Sequence, residues 1–284
     1  MRRLHFLLVL CCLSVSAFAA NNIIPFRMVN GLIIIEAGYN NSEGQFILDT
    51  GSDGLFIDKQ NSGKAASSQT YQTLSGDMEV ESITIKHISF GNIKKRNVTA
   101  YTTNLTHLEN VLQMDLAGIM GTTIFTPHSV YINFTDYTIH FFDSYVDHHK
   151  NTLLNSSSFD WENGVPVVKV SIDNAEYSFI LDSGASIHLV DFSIMENHKN
   201  LITDKNADIN LQTLSTNPTE NSSKKSCLSE LKFENHVYQN INILSIDLSK
   251  IQDGFSKKIS GILSLSEMAN KGVLIDFKNK KIHF

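Results

Sequence analysis

Short apolar runs broken by Asn, Asp, Gly and Ser dominate the chain beyond about residue 20. Leu32 to Ala37 is a β-branched run, and Gln45 to Leu48 is a second. Asn40-Asn41-Ser42-Glu43-Gly44 separates them with turn chemistry, which predicts a hairpin. Leu55-Phe56-Ile57 resumes the apolar pattern, and Val80 to Ile88 alternates as a half-buried strand should until Phe90-Gly91-Asn92 turns it. Asn110 to Leu116 predicts a short helix. Ala117 to Gly121 is apolar and tight, and Val130–Phe134 with Thr138–Phe142 forms another hairpin across Thr135-Asp136-Tyr137. Equivalent strands are expected at Val165–Ile172, Tyr177–Leu181, Ile241–Ile246, Gly272–Phe277 and Lys281–Phe284.

The second set repeats the first. Asn30 to Asp58 aligns without a gap on Asn163 to Asp191, with identity at Asn30, Gly31, Asn41, Glu43, Phe46, Ile47, Leu48, Asp49, Gly51 and Asp58. Gly118 to Phe141 aligns on Gly261 to Phe284, again ungapped, with identity at Gly118, Ile119, Val130, Ile132, Phe134, Ile139, His140 and Phe141. Between these blocks, Gln72-Thr73-Leu74-Ser75 recurs as Gln212-Thr213-Leu214-Ser215. The order is the same in both halves, so the chain carries an internal duplication of about 120 residues. Two copies are too few for a solenoid and predict two lobes. Asp143 to Ser158 is the least apolar stretch between them and is the expected linker. The expected organisation is a leader over 1–19, an N-terminal lobe over 20–148 and a C-terminal lobe over 149–284.

Composition narrows the class. Arg2 and Arg3 precede a nearly uncharged run from Leu4 to Val15, and Ala17-Phe18-Ala19 follows, which is the pattern of a cleaved secretory signal. The mature chain is therefore expected in the periplasm or outside the cell. No later run is long enough to span a membrane. Loss of the two arginines takes the net charge from −6 to −8, and no basic block remains to bind nucleic acid. Cys227 is the one cysteine beyond the leader, so no internal disulfide is available. His148-His149 in the linker lacks the further ligands of a metal site.

The chemistry sits where the repeat is strongest. Phe46-Ile47-Leu48-Asp49-Thr50-Gly51-Ser52 and Phe179-Ile180-Leu181-Asp182-Ser183-Gly184-Ala185 each end an apolar strand in an acid, a hydroxyl residue and a glycine. The glycines read as tight turns. Matching settings for the two acids suggest a facing pair of carboxylates.

These motifs, with Ile119-Met120-Gly121 and Ile262-Leu263 some 70 to 80 residues after each acid, resemble those of aspartic peptidases. The resemblance runs over about residues 24 to 284 and is most similar to two retropepsin-type units fused in one chain, as in bacterial secreted aspartyl protease-like proteins. It implies a mostly β, two-lobed pepsin/retropepsin-like fold with a cleft between the lobes. It implies that Asp49 and Asp182 share a proton and activate a water on a peptide or protein substrate, with no covalent intermediate, metal or cofactor. Thr50 and Ser183 match the hydroxyls that lace the two loops together in the family, beside Gly51, Ser52, Gly184 and Ala185. Ser52, lacking a counterpart hydroxyl at Ala185, is expected to make Asp49 the more readily ionised acid. A flap is expected over Tyr71 to Glu79, with Tyr71, Ser75 and Gly76 as its candidates, and an irregular loop through Pro218 to Ser226 in the second copy. Both acids lie in one chain, so a monomer is expected.

The sequence departs from the family at Ser264, where a glycine is expected, and at Ile187-His188, which replace Gly54-Leu55. His188 is expected to be a satisfied or exposed histidine rather than a tuner of the cleft. A catalytically weak or inactive peptide-binding homologue is the alternative, and Ser264 is its main support. A β-rich glycosidase with paired acids is a third reading, which the symmetric duplication and the single Trp161 disfavour.

Overall fold

The computed structural model describes residues 23–62, 67–74, 76–142, 156–204, 224–234, 236–268 and 272–284. The expected leader, His148-His149, Ser75 and residues 205–223, with Leu211 and Pro218, lie outside the described residues.

The strands of the first half are β1 (Ile23–Val29), β2 (Leu32–Tyr39), β3 (Ser42–Leu48), β4 (Leu55–Asp58), β5 (Ser67–Thr73), β6 (Gly76–Phe90), β7 (Ile93–Thr103), β8 (Gly118–Met120), β9 (Ser129–Asn133) and β10 (Thr138–Phe142). Those of the second are β11 (Ser156–Ser158), β12 (Asp160–Glu162), β13 (Val165–Ile172), β14 (Ala175–Asp182), β15 (His188–Asp191), β16 (Ile202–Asp204), β17 (Lys224–Phe233), β18 (His236–Ile246), β19 (Ile259–Ser264), β20 (Gly272–Asp276) and β21 (Lys281–His283).

The duplication is visible in the strand order. The first lobe runs β1-β2-β3-β8-β4-β7-β6-β5, and the second runs β12-β13-β14-β19-β15-β18-β17-β16. Each position in one series has its sequence counterpart in the other. Tight turns set the registers. Asn30 and Gly31 close the β1–β2 hairpin with φ of 49° and 83°, and Asn163 and Gly164 close β12–β13 with 48° and 76°. Two successive positive φ values make the hairpin turn whose twist suits paired strands.

A third sheet region joins the lobes, in the order β11-β21-β20-β9-β10-β1. Val130 faces Ile275 and Ile132 faces Val273 across β9 and β20, so the copies meet about a pseudo-twofold axis. The lobes are thus not separable at one point of the chain. Ser156–Ser158, expected in the linker, pair with β21 as β11. Polar composition misleads there because the strand is short and only Ser157 is buried.

Period two along β2 divides its side chains between two cores. Ile33 and Ile35 enter the main core, while Leu32 and Ile34 join Ile47, Leu105, Leu108 and Leu112 in a cluster beneath the cleft. Val165, Val167, Ile180, Leu248 and Ile251 form the equivalent cluster in the second lobe. Burial on both faces explains the unbroken β-branched runs.

Two expectations need correction. The first-lobe helix is Thr106–Leu112, not 110–116. The Asn104 side chain accepts from the Thr106 N–H, Asp58 accepts from the Leu105 N–H, and Gln113 ends the helix in a left-handed conformation. The polar tract expected to run as loop to Ser226 already enters β17 at Lys224. There it pairs with the apolar end of β18, which supplies the burial that the tract itself lacks.

Candidate active site

β3 and β14 deliver Asp49 and Asp182 to the centre of the molecule. Each runs parallel to a strand from the same lobe's second repeat block, β3 to β8 and β14 to β19. The loops after them are bonded to each other. Thr50 Oγ1 donates to the Leu181 carbonyl (2.8 Å) and accepts from the Ser183 N–H (2.9 Å). Ser183 Oγ donates to the Leu48 carbonyl (2.8 Å) and accepts from the Thr50 N–H (3.0 Å). Both hydroxyl residues are buried. This reciprocal set of four bonds fixes one loop against the other.

The glycines serve close approach rather than the turn. Neither Gly51 nor Gly184 has a positive φ. A Cβ on Gly51 would stand 2.5 Å from Asp182 Cγ, and one on Gly184 would stand 2.6 Å from Asp49 Cγ. Each glycine leaves room for the carboxyl group of the opposite half.

The carboxyls share hydrogen-bond donors. The Gly51 N–H donates to Asp49 Oδ1 (2.8 Å) and to Asp182 Oδ1 (3.2 Å), and the Gly184 N–H donates to Asp182 Oδ1 (2.6 Å). Burial pushes both acids above the usual carboxylate range. The charge of Asp182 and a hydrogen bond to it raise Asp49 further, whereas that same bond lowers Asp182. Backbone N–H groups of Gly184, Gly51 and Ala185 favour the Asp182 carboxylate, against Gly51 and Ser52 for Asp49. The larger set of donors favours the charged form on Asp182 and the shared proton on Asp49. The expectation that Ser52 makes Asp49 the more ionised acid rested on a hydroxyl contact that the structure does not make. The Ser52 hydroxyl is buried without a hydrogen-bond partner among the described residues; only its N–H reaches Asp49.

Ser264 is accommodated. It is fully buried, its Oγ donates to the Ala185 carbonyl (2.7 Å), and its N–H donates to His188 Nδ1 (3.1 Å). His188 is accordingly a buried, satisfied histidine in its neutral form, and burial lowers its pKa to about 4. The sequence suggested neither contact, because the two residues are 76 positions apart. With both polar groups bonded, Ser264 no longer supports an impaired site.

A cleft of about 800 Å³ lies over the dyad. Its walls are the two apolar clusters, through Leu32, Ile47 and Leu108 on one side and Val165, Ile180 and Ile251 on the other. Thr70, Tyr71, Thr73, Leu74 and Met78 of the β5–β6 hairpin cover it. Thr73 pairs with Gly76 at the hairpin end. The Tyr71 ring packs against Phe56 (4.9 Å) and Tyr101 (5.7 Å). Leu74 packs on the second-lobe cluster with Ile187 and Phe255, so the tip crosses the cleft. Sequence reasoning missed this residue, whose apolar character at a turn was the available signal. It also missed Asp53 and Asp253, two further acids lining the cleft, of which burial raises the pKa of Asp53.

Comparison with known proteins agrees with this architecture. The family model described as aspartyl protease matches residues 35–124 and 168–266, about two thirds of the chain, with one acid in each region. The chain belongs to that aspartyl protease family. Among solved structures, the aspartic proteinase from Irpex lacteus superposes with a TM-score of 0.57 at 10% identity, covering 93% of this chain and 96% of that one. The fold is therefore the mostly β, duplicated, two-domain pepsin-like fold. Comparison with curated proteins gives no match.

Proposed function

We propose that this chain is an aspartic endopeptidase that hydrolyses peptide bonds in the periplasm or outside the cell, after loss of residues 1–19. The observation that carries the reading is the facing pair, Asp49 and Asp182, which share the Gly51 N–H at the floor of a covered, apolar-walled cleft. Two buried carboxyls in contact cannot both ionise easily, so one proton is retained between them.

The chemistry follows from where that proton rests. Asp182, the carboxylate with more backbone donors, takes a proton from a water whose oxygen attacks the peptide carbonyl carbon. Asp49 gives its proton to the carbonyl oxygen, forming a tetrahedral diol. As the C–N bond breaks, Asp182 passes its proton to the departing nitrogen and Asp49 recovers one from the diol hydroxyl. The dyad returns to its starting state, having moved protons only between its two acids, the water and the peptide. The chain supplies both acids, so the reading is of a monomer acting on a peptide or protein.

The test is cleavage of a mixed peptide library by the purified protein from about pH 3 to 8, with and without a statine-type peptide. The reading expects cuts that the statine compound suppresses, because its hydroxyl occupies the place of the attacking water. A folded protein that cuts nothing across the range would count against proteolysis.

A further inference from the structure

The two halves hold their catalytic loops by different means. In the first, the Gly121 N–H donates to the Gly54 carbonyl (2.8 Å) and the Thr122 N–H to the Ser52 carbonyl (2.8 Å). Backbone meets backbone, and a Cβ on Gly121 would lie 2.4 Å from the Gly54 oxygen and 2.5 Å from that of Ser52. In the second half, Ser264 takes the place of Gly121, Ala185 that of Ser52, and His188 that of Leu55. One of those points, the carbonyl of Ala185, is still tied, now through a side chain, and the second tie moves one residue along, from the position of Gly54 (Ile187) to His188. Ser264 Oγ holds the Ala185 carbonyl, and the Ser264 N–H is received by His188 Nδ1.

The link to the acid is short. Ala185 has its carbonyl on Ser264, and the N–H of Gly184, the residue before it in the same loop, donates to Asp182 Oδ1 (2.6 Å). Ser264 in turn lies opposite Asp182 in the β14–β19 pairing. A shift of the Ser264 hydroxyl moves the loop at Ala185, and with it the neighbouring Gly184 N–H that favours the charged form of Asp182. His188, with 2% of its surface exposed, fixes the backbone from which that hydroxyl projects.

We propose that His188 and Ser264 are positioning residues for Asp182, a side-chain strut that replaces the glycine contact holding the loop of Asp49. This rests on the proteolytic reading above. It makes the two residues that depart from the family pattern one compensated unit.

Three variants separate positioning from packing. His188→Leu copies the first-lobe residue and removes the acceptor. His188→Asn keeps an acceptor on Cγ, where Nδ1 stood. Ser264→Ala removes only the hydroxyl. Expected kcat falls about tenfold or more in His188→Leu and Ser264→Ala with KM little changed, since misplacing a catalytic group acts on the chemical step. His188→Asn, which also loses ring volume, is expected to lower Tm as His188→Leu does while keeping kcat near wild type. The 13C shift of the Asp182 carboxyl, read in the same proteins, should move in His188→Leu and Ser264→Ala and stay in His188→Asn, whether or not any peptide is cut. Unchanged kcat and carboxyl shift in Ser264→Ala would overturn the proposal, as would His188→Asn losing both as fully as His188→Leu. Should His188→Leu not fold, the contrast between His188→Asn and Ser264→Ala decides. A wild type without cleavage but with the expected shifts would instead count against proteolysis alone.

Discussion

Gly51 and Gly184 each face the carboxyl group of the other half, closer than any side chain allows. Their need is for space across the axis, which a sequence motif cannot distinguish from a need for a turn. Gly184→Ala is therefore expected to push Asp49 out of place and reduce kcat by about a hundredfold, with circular dichroism unchanged. The hydroxyls beside them were legible only through the family resemblance, and Thr50 and Ser183 can form the reciprocal set because a hydroxyl both donates and accepts. Thr50→Val keeps the shape but leaves the Leu181 carbonyl and the Ser183 N–H without their partner. Urea unfolding should register a loss on the order of 2 to 5 kcal/mol, from two buried polar groups left unsatisfied. Ser52 shows where residue-level reasoning runs out. Its hydroxyl is adjacent in sequence to the dyad, yet the loop turns it away and presents its N–H instead.

Strands were easier to read than the helix. β2 and β13 are buried on both faces over most of their length, so apolar residues fill successive positions, and their starts are marked by Asn-Gly. The helix Thr106–Leu112 is placed by Asp58, a residue in another element that receives the Leu105 N–H. Asp191 does the same for the Leu248 N–H in the second lobe. The repeat marks both acids as identical, but their role needs the tertiary contact. The β5–β6 hairpin shows a related limit. The family resemblance implies a flap in this interval, whereas the seating of Leu74 on Ile187 and Phe255 depends on the opposite lobe. Leu74→Ser is expected to raise KM several-fold with a smaller effect on kcat, since it weakens closure over substrate without touching the acids. Equal KM values for the variant and wild type on the same peptide would exclude a role for this contact.

Across the whole molecule, the duplication was legible from two ungapped blocks, while the sheet that fuses the lobes was not. β20 and β21 belong by sequence to the second copy, yet β20 pairs with β9 of the first, and only the pseudo-twofold pairing reveals this. The burial of the centre also sets how stability responds to pH. His188 falls to about 4 in the fold, below its ordinary 6.5, so between those values the unfolded chain binds a proton that the folded chain refuses. Stability from this group therefore declines as pH drops from about 6.5 to about 4, by on the order of 3 kcal/mol, and then levels off. Asp49 works in the opposite sense. Its raised pKa means that the folded chain keeps a proton the unfolded chain has lost, so its contribution declines as pH rises above the unfolded value. Asp49→Asn should thus be more stable than wild type at neutral pH, with the difference shrinking toward pH 4, as denaturant titrations at several pH values would show.

The shared dyad is tested most directly by the turnover of one peptide substrate by wild type, Asp49→Asn and Asp182→Asn, measured side by side with their unfolding curves. If the two carboxyls act as one unit, each variant alone loses activity by at least about a thousandfold while remaining folded, and the double variant loses no more than either single one. Substantial turnover in either single variant would contradict the account, because that carboxyl could then be removed without removing the chemistry.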